Sequence, residues 1–247
     1  MPDSHLLQSL LPGVPLRVFS ETGSTNSDAR QWLLEGGVHG SLVVAGRQTA
    51  GRGRMGRVFA SQDGGLYMSL ILKSEQPAGV LTTLCAVAVR RTVMELTGMA
   101  PDIKWVNDLQ YRGKKICGIL CEGVWAGSEH LGVIAGIGLN IAQREFPEEL
   151  RGIAASLYPD GRCPIAPERF AAGIHRQIMS LLPQAPAHMA EYRSCCLTLG
   201  RRVRWERQGI GWEGVAAAVD DTGALRVDTD AGPIWLSAGE VSLKSAE

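Results

Sequence analysis

The chain has 247 residues, 45% of them hydrophobic, and its 25 Lys and Arg against 25 Asp and Glu give a formal net charge of +0. That length suits one large domain, with room for a small second one, and the charge balance argues against a general binder of polyanions, which is usually strongly basic. No apolar run approaches the roughly 20 residues of a membrane span, and the start Met1-Pro2-Asp3-Ser4-His5 lacks the basic opening of a signal peptide.

Residues 1–13 read as a short tail. Leu16-Arg17-Val18-Phe19 has the make-up of a strand, and a turn follows through Ser24-Thr25-Asn26. Ser24 or Thr25 can cap a helix running to about Leu34, which Gly36-Gly37 ends. Taken alone, these three residues are a helix cap; together they also offer donors and acceptors to a small polar ligand.

Leu42-Val43-Val44-Ala45 is a buried-type strand that leads into Gly46-Arg47-Gln48-Thr49-Ala50-Gly51-Arg52-Gly53-Arg54-Met55-Gly56-Arg57. Glycines let this backbone approach a ligand closely, and arginines offer planar forks to phosphate or carboxylate. No Asp or Glu occurs between Glu35 and Asp63, so the loop's positive charge has no local partner. It is expected to be mobile when empty and ordered by an anion. It is not a P-loop, since no G-x-x-x-x-G-K-[ST] occurs. A solvated loop, or an arginine patch that touches nucleic acid without sequence preference, is the plainer alternative.

Leu66–Leu72 reads as a strand, Val80–Leu96 as an apolar helix, and Ile103–Val106 as a strand breaking into Asn107-Asp108-Leu109. Tyr111-Arg112-Gly113-Lys114 is a hairpin turn into a strand from Lys115 to Val124, and Leu131–Asn140 is one more. Pro167–Leu182 is an amphipathic helix with Pro167 in its first turn, and a short helix runs from about Ala187 to Ser194. Short strands split by turns then follow: Arg201–Trp205, Gly211–Val219, Ala224–Thr229 and Ile234–Leu236. The class is α+β, a mixed-sheet domain over residues 14–196 and a small SH3-like β-barrel over 197–247. The six cysteines form no C-x-x-C pair, which disfavours a zinc knuckle and fits a reduced, cytoplasmic setting. Cys117 and Cys121 fall on one strand face as small core residues.

Three further clusters carry chemistry: Lys104-Trp105-Val106-Asn107-Asp108, Lys115 across a hairpin from it, and Gly136-Ile137-Gly138-Leu139-Asn140. Singly they are a turn, a surface lysine and a tight strand crossing. Together with Ser24-Thr25-Asn26, the glycine-arginine loop and Gly118-Ile119-Leu120, in this order, the chain resembles the biotin–protein ligases from about residue 14 onward. Gly239-Glu240-Val241-Ser242-Leu243 is similar to that family's terminal domain. The resemblance implies an enzyme that joins biotin and ATP into biotinyl-5′-AMP, with Mg²⁺, and then passes biotin to a lysine of a biotin carboxyl carrier protein. It implies a biotin site of Ser24, Thr25, Asn26, Gln48, Gly51, Arg52, Gly53, Arg54, Lys115, Gly118 and Gly136. It implies a nucleotide site of Arg52, Arg54, Arg57, Asn107, Asp108, Lys115 and Asn140, with Asp108 the Mg²⁺ donor and Lys115, Arg54 and Asp108 the catalytic groups.

The sequence departs from the family in places. Val106 stands where proline is commoner, and Met55 where some members carry arginine. No aromatic suited to stacking on adenine is evident after Asn140, so Ile153, Ala154 and Ala155 are the candidates for an apolar wall. Some members carry an N-terminal DNA-binding domain; the short tail here makes a repressor role and a DNA partner unexpected, and a monomer or homodimer is expected. A lipoate–protein ligase shares the chemistry but should lack the repeated Gly-Arg loop. A non-enzymatic RNA-binding protein would have no use for Lys115 or Asn140.

Overall fold

In the computed structural model, which describes residues 2–207, 209–237 and 241–243, two long strands organise the chain. β3 (Gly65–Leu72) is buried at every position and pairs antiparallel with β7 (Glu129–Asn140), from Gly65 opposite Asn140 to Leu72 opposite Val133. A strand with apolar side chains on both faces must be covered on both. On one face lies α2 (Thr25–Leu34), whose Ala29 and Leu33 pack with Val43, Ile71, Val124 and Ile134. On the other lie α3 (Ala78–Thr97) and α4 (Pro167–Leu181), which share the larger core with Leu70, Ala135 and Leu139.

The full sheet has seven strands in the order β1-β2-β3-β7-β6-β5-β4, where β1 is Leu16–Phe19, β2 Leu42–Ala45, β4 Asp102–Lys104, β5 Asp108–Tyr111 and β6 Lys114–Ala126. Only β1 and β2 run parallel, joined through α2; the other neighbours are antiparallel. This is the mixed sheet expected of the α+β class. The β5–β6 turn has Arg112 at φ 52° and Gly113 at φ 76°. Two successive positive φ values define the hairpin turn whose twist matches that of its strands.

The chain departs from the expected strand at Trp105. β4 stops at Lys104, because the Trp105 N–H donates to the Thr198 hydroxyl at 2.9 Å and its indole N–H to the Gly223 carbonyl at 2.9 Å. Trp105 is thereby turned toward the C-terminal strands. These are β8 (Arg202–Arg207), β9 (Ile210–Val219), β10 (Leu225–Thr229), β11 (Gly232–Leu236) and β12 (Ser242–Leu243), in the all-antiparallel order β11-β10-β9-β8-β12. Val203, Ala216, Leu225, Val227 and Val241 fill the interior of this small β unit. Of the terminal stretch Gly239–Leu243, Gly239 and Glu240 lie outside the described residues. A short helix, α5 (Met189–Ser194), sends Arg193 across to it: the guanidinium bonds the Val219 carbonyl at 2.6 Å and pairs with Asp221. The six cysteines are free thiols, four of them buried, as small core residues would be.

The first residues are more than a tail. Ser4–Leu10 forms α1, capped by Asp3, whose carboxylate accepts from the N–H groups of His5 and Leu6 at 2.9 and 3.0 Å. α1 lies against α4, and Leu7 and Leu11 join the main core with 0% and 3% exposure. Leu7→Ala should therefore destabilise the protein by about 2–5 kcal/mol, as buried leucine truncations do, with the urea midpoint as the measure.

Acid should destabilise the fold through His188. Its imidazole is buried, with Nε2 2.9 Å from the Thr83 hydroxyl, and burial, then the nearby Arg193 and Arg91, hold its pKa down to about 4. The unfolded group titrates near 6.5. A depressed folded value means that the unfolded chain binds the extra proton first. The contribution is complete above pH 6.5 and is lost as pH falls toward 4, up to about 3 kcal/mol. Urea titrations from pH 7 to 4.5 should show a smaller loss of stability in His188→Gln than in the wild type.

Candidate active site

The site is built on a strip of backbone without side chains. Gly118 of β6 lies opposite Gly138 of β7, and Gly136 opposite Leu120. A Cβ at Gly138 would stand 2.4 Å from the Phe59 ring, at Gly118 2.8 Å from the same ring, and at Gly136 2.0 Å from Asn26 Oδ1. All three have ordinary strand conformations, so it is space rather than φ that excludes a side chain here. Above this floor opens a cavity of about 330 Å³.

One end of the cavity is a wall of uncharged amides and hydroxyls. Ser24 sits at the N-cap position of α2 but makes no capping bond; the Gln48 side-chain carbonyl takes the Thr25 N–H instead, at 2.8 Å, and the Thr25 hydroxyl at 3.1 Å. The Ser69 hydroxyl donates to Asn26 Oδ1 at 2.6 Å and lies 2.8 Å from Thr25 Oγ1. Gln48 Nε2 donates to Ser61 at 2.7 Å, and Ser61 donates to the Phe59 carbonyl at 2.9 Å. Ser24, Thr25, Asn26 and Gln48, which the sequence groups, therefore meet as one preorganised wall. Ser61 and Ser69 brace it through these bonds without lining the cavity, and nothing in their spacing from these residues could have revealed that.

Gly51 does not line the cavity. A Cβ there would stand 2.4 Å from Ser61 Oγ and 2.5 Å from the Phe59 carbonyl oxygen. Its place is under the wall, where only glycine lets Ser61 reach Gln48.

The other end is cationic. Lys115 Nζ pairs with Asp108 Oδ1 at 2.7 Å, with the two side chains 29% and 19% exposed. The Lys115 backbone is fixed on its far side: its N–H donates to the Ile153 carbonyl at 2.8 Å, and its carbonyl accepts from Ala155 at 2.9 Å. Arg54 Nη1 donates to Asn107 Oδ1 at 3.1 Å, and Asn107 Nδ2 to the Ile119 carbonyl at 3.0 Å. Arg52, Gly53, Arg57 and Lys104 line the same cavity. Asn140 also lines it, but its amide is committed to the protein. It donates to the Ala155 carbonyl at 3.2 Å and accepts from Gln143 at 3.1 Å, tying the 153–157 segment to the end of β7.

The glycine-arginine loop is a hairpin in its own right. Arg52 pairs with Val58, the Gly53 N–H reaches the Arg57 carbonyl at 2.7 Å, and the tip turns through Met55 at φ 56° and Gly56 at φ 75°. Its charge does have a partner, supplied from β6: Arg52 Nη2 meets Glu122 Oε2 at 2.9 Å. As the sequence reading has it, the partner is not local: Glu122 stands seventy residues away along the chain.

Two aromatics in the site are not evident from sequence. Phe59 lies over Gly118 and Gly138, with Lys115 Nζ 5.9 Å from its ring centre. Phe146 lines the outer wall with Leu150, Ile153 and Ala154, so an aromatic does follow Asn140 after all. Ala155 is absent from that wall; its backbone is spent on Lys115 and Asn140.

One cavity thus holds an uncharged wall of amides and hydroxyls, a bare glycine floor, and a group of cations. It offers uncharged donors and acceptors at one end and cations that suit anionic groups at the other.

Residues 18–140 match the model of the biotin/lipoate A/B protein ligase family, and residues 198–244 that of the biotin protein ligase C-terminal domain. The chain is similar to the bifunctional ligase/repressor BirA of Bacillus subtilis, with 35% identity over 89% of this chain and 71% of that protein. It is similar also to the biotin–[acetyl-CoA-carboxylase] ligase of Mycobacterium tuberculosis, with 34% identity over 92% of this chain and 88% of that one. The structure of the biotin protein ligase of Aquifex aeolicus in complex with biotin and ATP superposes with a TM-score of 0.80 at 28% identity, covering 94% of this chain and 99% of that one. With the catalytic and C-terminal models both matched, and relatives alike over most of their length, this chain belongs to the biotin protein ligase family.

Proposed function

We propose that the protein activates biotin with ATP to biotinyl-5′-AMP and then transfers biotin to a lysine of a biotin carboxyl carrier protein. The observation that carries this reading is the single cavity that joins the Asn26–Thr25–Gln48 wall to Lys115 and the arginine loop across a glycine floor. Biotin's ureido ring has both N–H donors and a carbonyl acceptor, and such a wall can complement both. Its carboxylate would lie toward Lys115.

The reaction needs no enzyme nucleophile. A carboxylate oxygen attacks the α-phosphorus, the bond from that phosphorus to the bridging oxygen breaks, and pyrophosphate leaves with the electron pair. Two anions must approach, and fixed cations offset their repulsion and the charge developing at the phosphorus. Lys115 is suited to this: its backbone is clamped between the Ile153 and Ala155 segments, and its ammonium is already aimed by Asp108. In the second step the amine of the acceptor lysine attacks the acyl carbon, AMP departs and the amine loses a proton. Phe146, Leu150 and Ile153 give an apolar wall for the adenine.

Mg²⁺ is part of the proposal, and when bound it neutralises charge on the triphosphate. The donors fit a shared site: Asp108 is the carboxylate of the cationic end, and among the described residues no three His, Cys, Asp or Glu gather into a metal cage. Mg²⁺ is commonly held by one or two carboxylates together with phosphates. A cytoplasmic setting is also proposed, from six free cysteines and the absence, among the described residues, of a helix long and apolar enough to cross a membrane. No DNA partner is proposed for a chain of net charge +0.

Incubation with biotin, ATP, Mg²⁺ and a biotin carboxyl carrier domain should add one biotin to the carrier by mass, and an unmodified carrier would overturn the reading. Lys115→Ala should lower pyrophosphate release by orders of magnitude without unfolding the protein, since charge stabilisation of this kind is among the largest catalytic contributions; near-normal release would remove Lys115 from its role. Arg54→Gly loses the bond to Asn107 and loosens the loop. It should still form adenylate but label lysines of an unrelated bystander protein, counted by mass against the wild type.

A further inference from the structure

Glu122 belongs to none of the groups singled out so far, yet one of its oxygens joins two parts of the site. Oε2 accepts from Asn26 Nδ2 at 2.7 Å and from Arg52 Nη2 at 2.9 Å. The first partner is the amide at the uncharged wall. The second is the base of the glycine-arginine hairpin. We propose that Glu122 is a positioning residue that couples the orientation of Asn26 to closure of that loop. The proposal rests on the biotin reading above.

The chemistry of the donors and acceptors supports this. A carboxylate only accepts, so it selects the Asn26 nitrogen, and the Leu120 carbonyl at 3.4 Å selects it again. On the opposite side Ser69 donates to Asn26 Oδ1. The amide is therefore locked with its oxygen over Gly136, where a Cβ would stand 2.0 Å away, and with one lone pair left for an N–H of the ligand. A free amide could turn over and present a donor in the same place.

The loop contact has a different character. Arg52 is 42% exposed and Glu122 35%, and an ion pair so wetted is weak. A weak latch suits a loop that must open to admit ligand and close to exclude water. Because both bonds end on the same oxygen, movement of Arg52 changes the charge that Asn26 sees, and a ligand that engages Asn26 bears on the latch in return.

Three variants separate these effects. Glu122→Ala removes both bonds and should weaken calorimetric biotin binding about tenfold or more, the scale of a hydrogen bond to a charged group. It should also speed protease cleavage within residues 51–58. Glu122→Gln keeps an acceptor for Asn26 but not the charge for Arg52. It should restore biotin affinity to within a few-fold of wild type while the loop stays more readily cleaved. That split is not what a purely structural loss would give. Arg52→Gln should speed cleavage as Glu122→Gln does, and the double variant no further. Unchanged affinity and cleavage in Glu122→Ala, or additive cleavage in the double variant, would overturn the coupling; should Glu122→Ala fail to fold, the Gln variants decide alone. Wild-type protein that binds no biotin would instead refute the reading on which the proposal stands.

Discussion

The site depends on backbone left bare at the middle of a sheet. Gly118 and Gly138 face each other across β6 and β7, and Gly136 lies two residues along. Their neighbours in the same strands are large and buried: Ile119, Ile137 and Leu139. The strands therefore keep the apolar contacts that hold α3 and α4 on one face, while the other is stripped of side chains just where Asn26, Phe59 and Lys115 converge. Period-two alternation in a strand lets one stretch serve both ends at once.

Around that floor the polar groups are held before any ligand arrives. Gln48 replaces a capping side chain at the start of α2, and Ser69 and Ser61 relay the restraint to Asn26 and to the chain beyond the loop. At the cationic end Asp108 restrains Lys115, and Asn140 ties down the segment that flanks it. Groups fixed in this way cost little reorganisation at the moment of reaction, which is where electrostatic catalysis draws its strength.

Much of this was legible in the sequence. Most elements from Leu16 to Leu236 appear within a few residues of where apolar runs and turn residues place them, β5 excepted, since Asn107-Asp108-Leu109 reads as a break; the glycine pairs, Lys115 and the Ser24-Thr25-Asn26 cluster meet in one cavity. What was not legible depends on distance along the chain. Glu122 is one acidic residue among 25 acidic residues until β6 brings it to Arg52. Ser61, Ser69 and Gln143 are ordinary polar residues until the fold buries them beside amides. Gly51 looks like its glycine neighbours in the loop, and only the position of Ser61 shows that it supports the wall rather than facing the ligand. α1 was missed for another reason: Leu7 and Leu11 have helical spacing, but seven residues of helix gain stability only by packing on α4.

The central claim is that the bare floor is what admits the ligand, and Gly136→Ala tests it most directly. The added methyl would stand 2.0 Å from Asn26 Oδ1 and 2.7 Å from its Cγ, so Asn26 must give up its bonds to Ser69 and Glu122 and turn away; the melting temperature should fall, while circular dichroism still reports a folded sheet. Calorimetry should then show biotin binding weakened about tenfold or more, since each 1.4 kcal/mol lost is a factor of ten. Wild-type affinity in a folded Gly136→Ala protein would contradict the account.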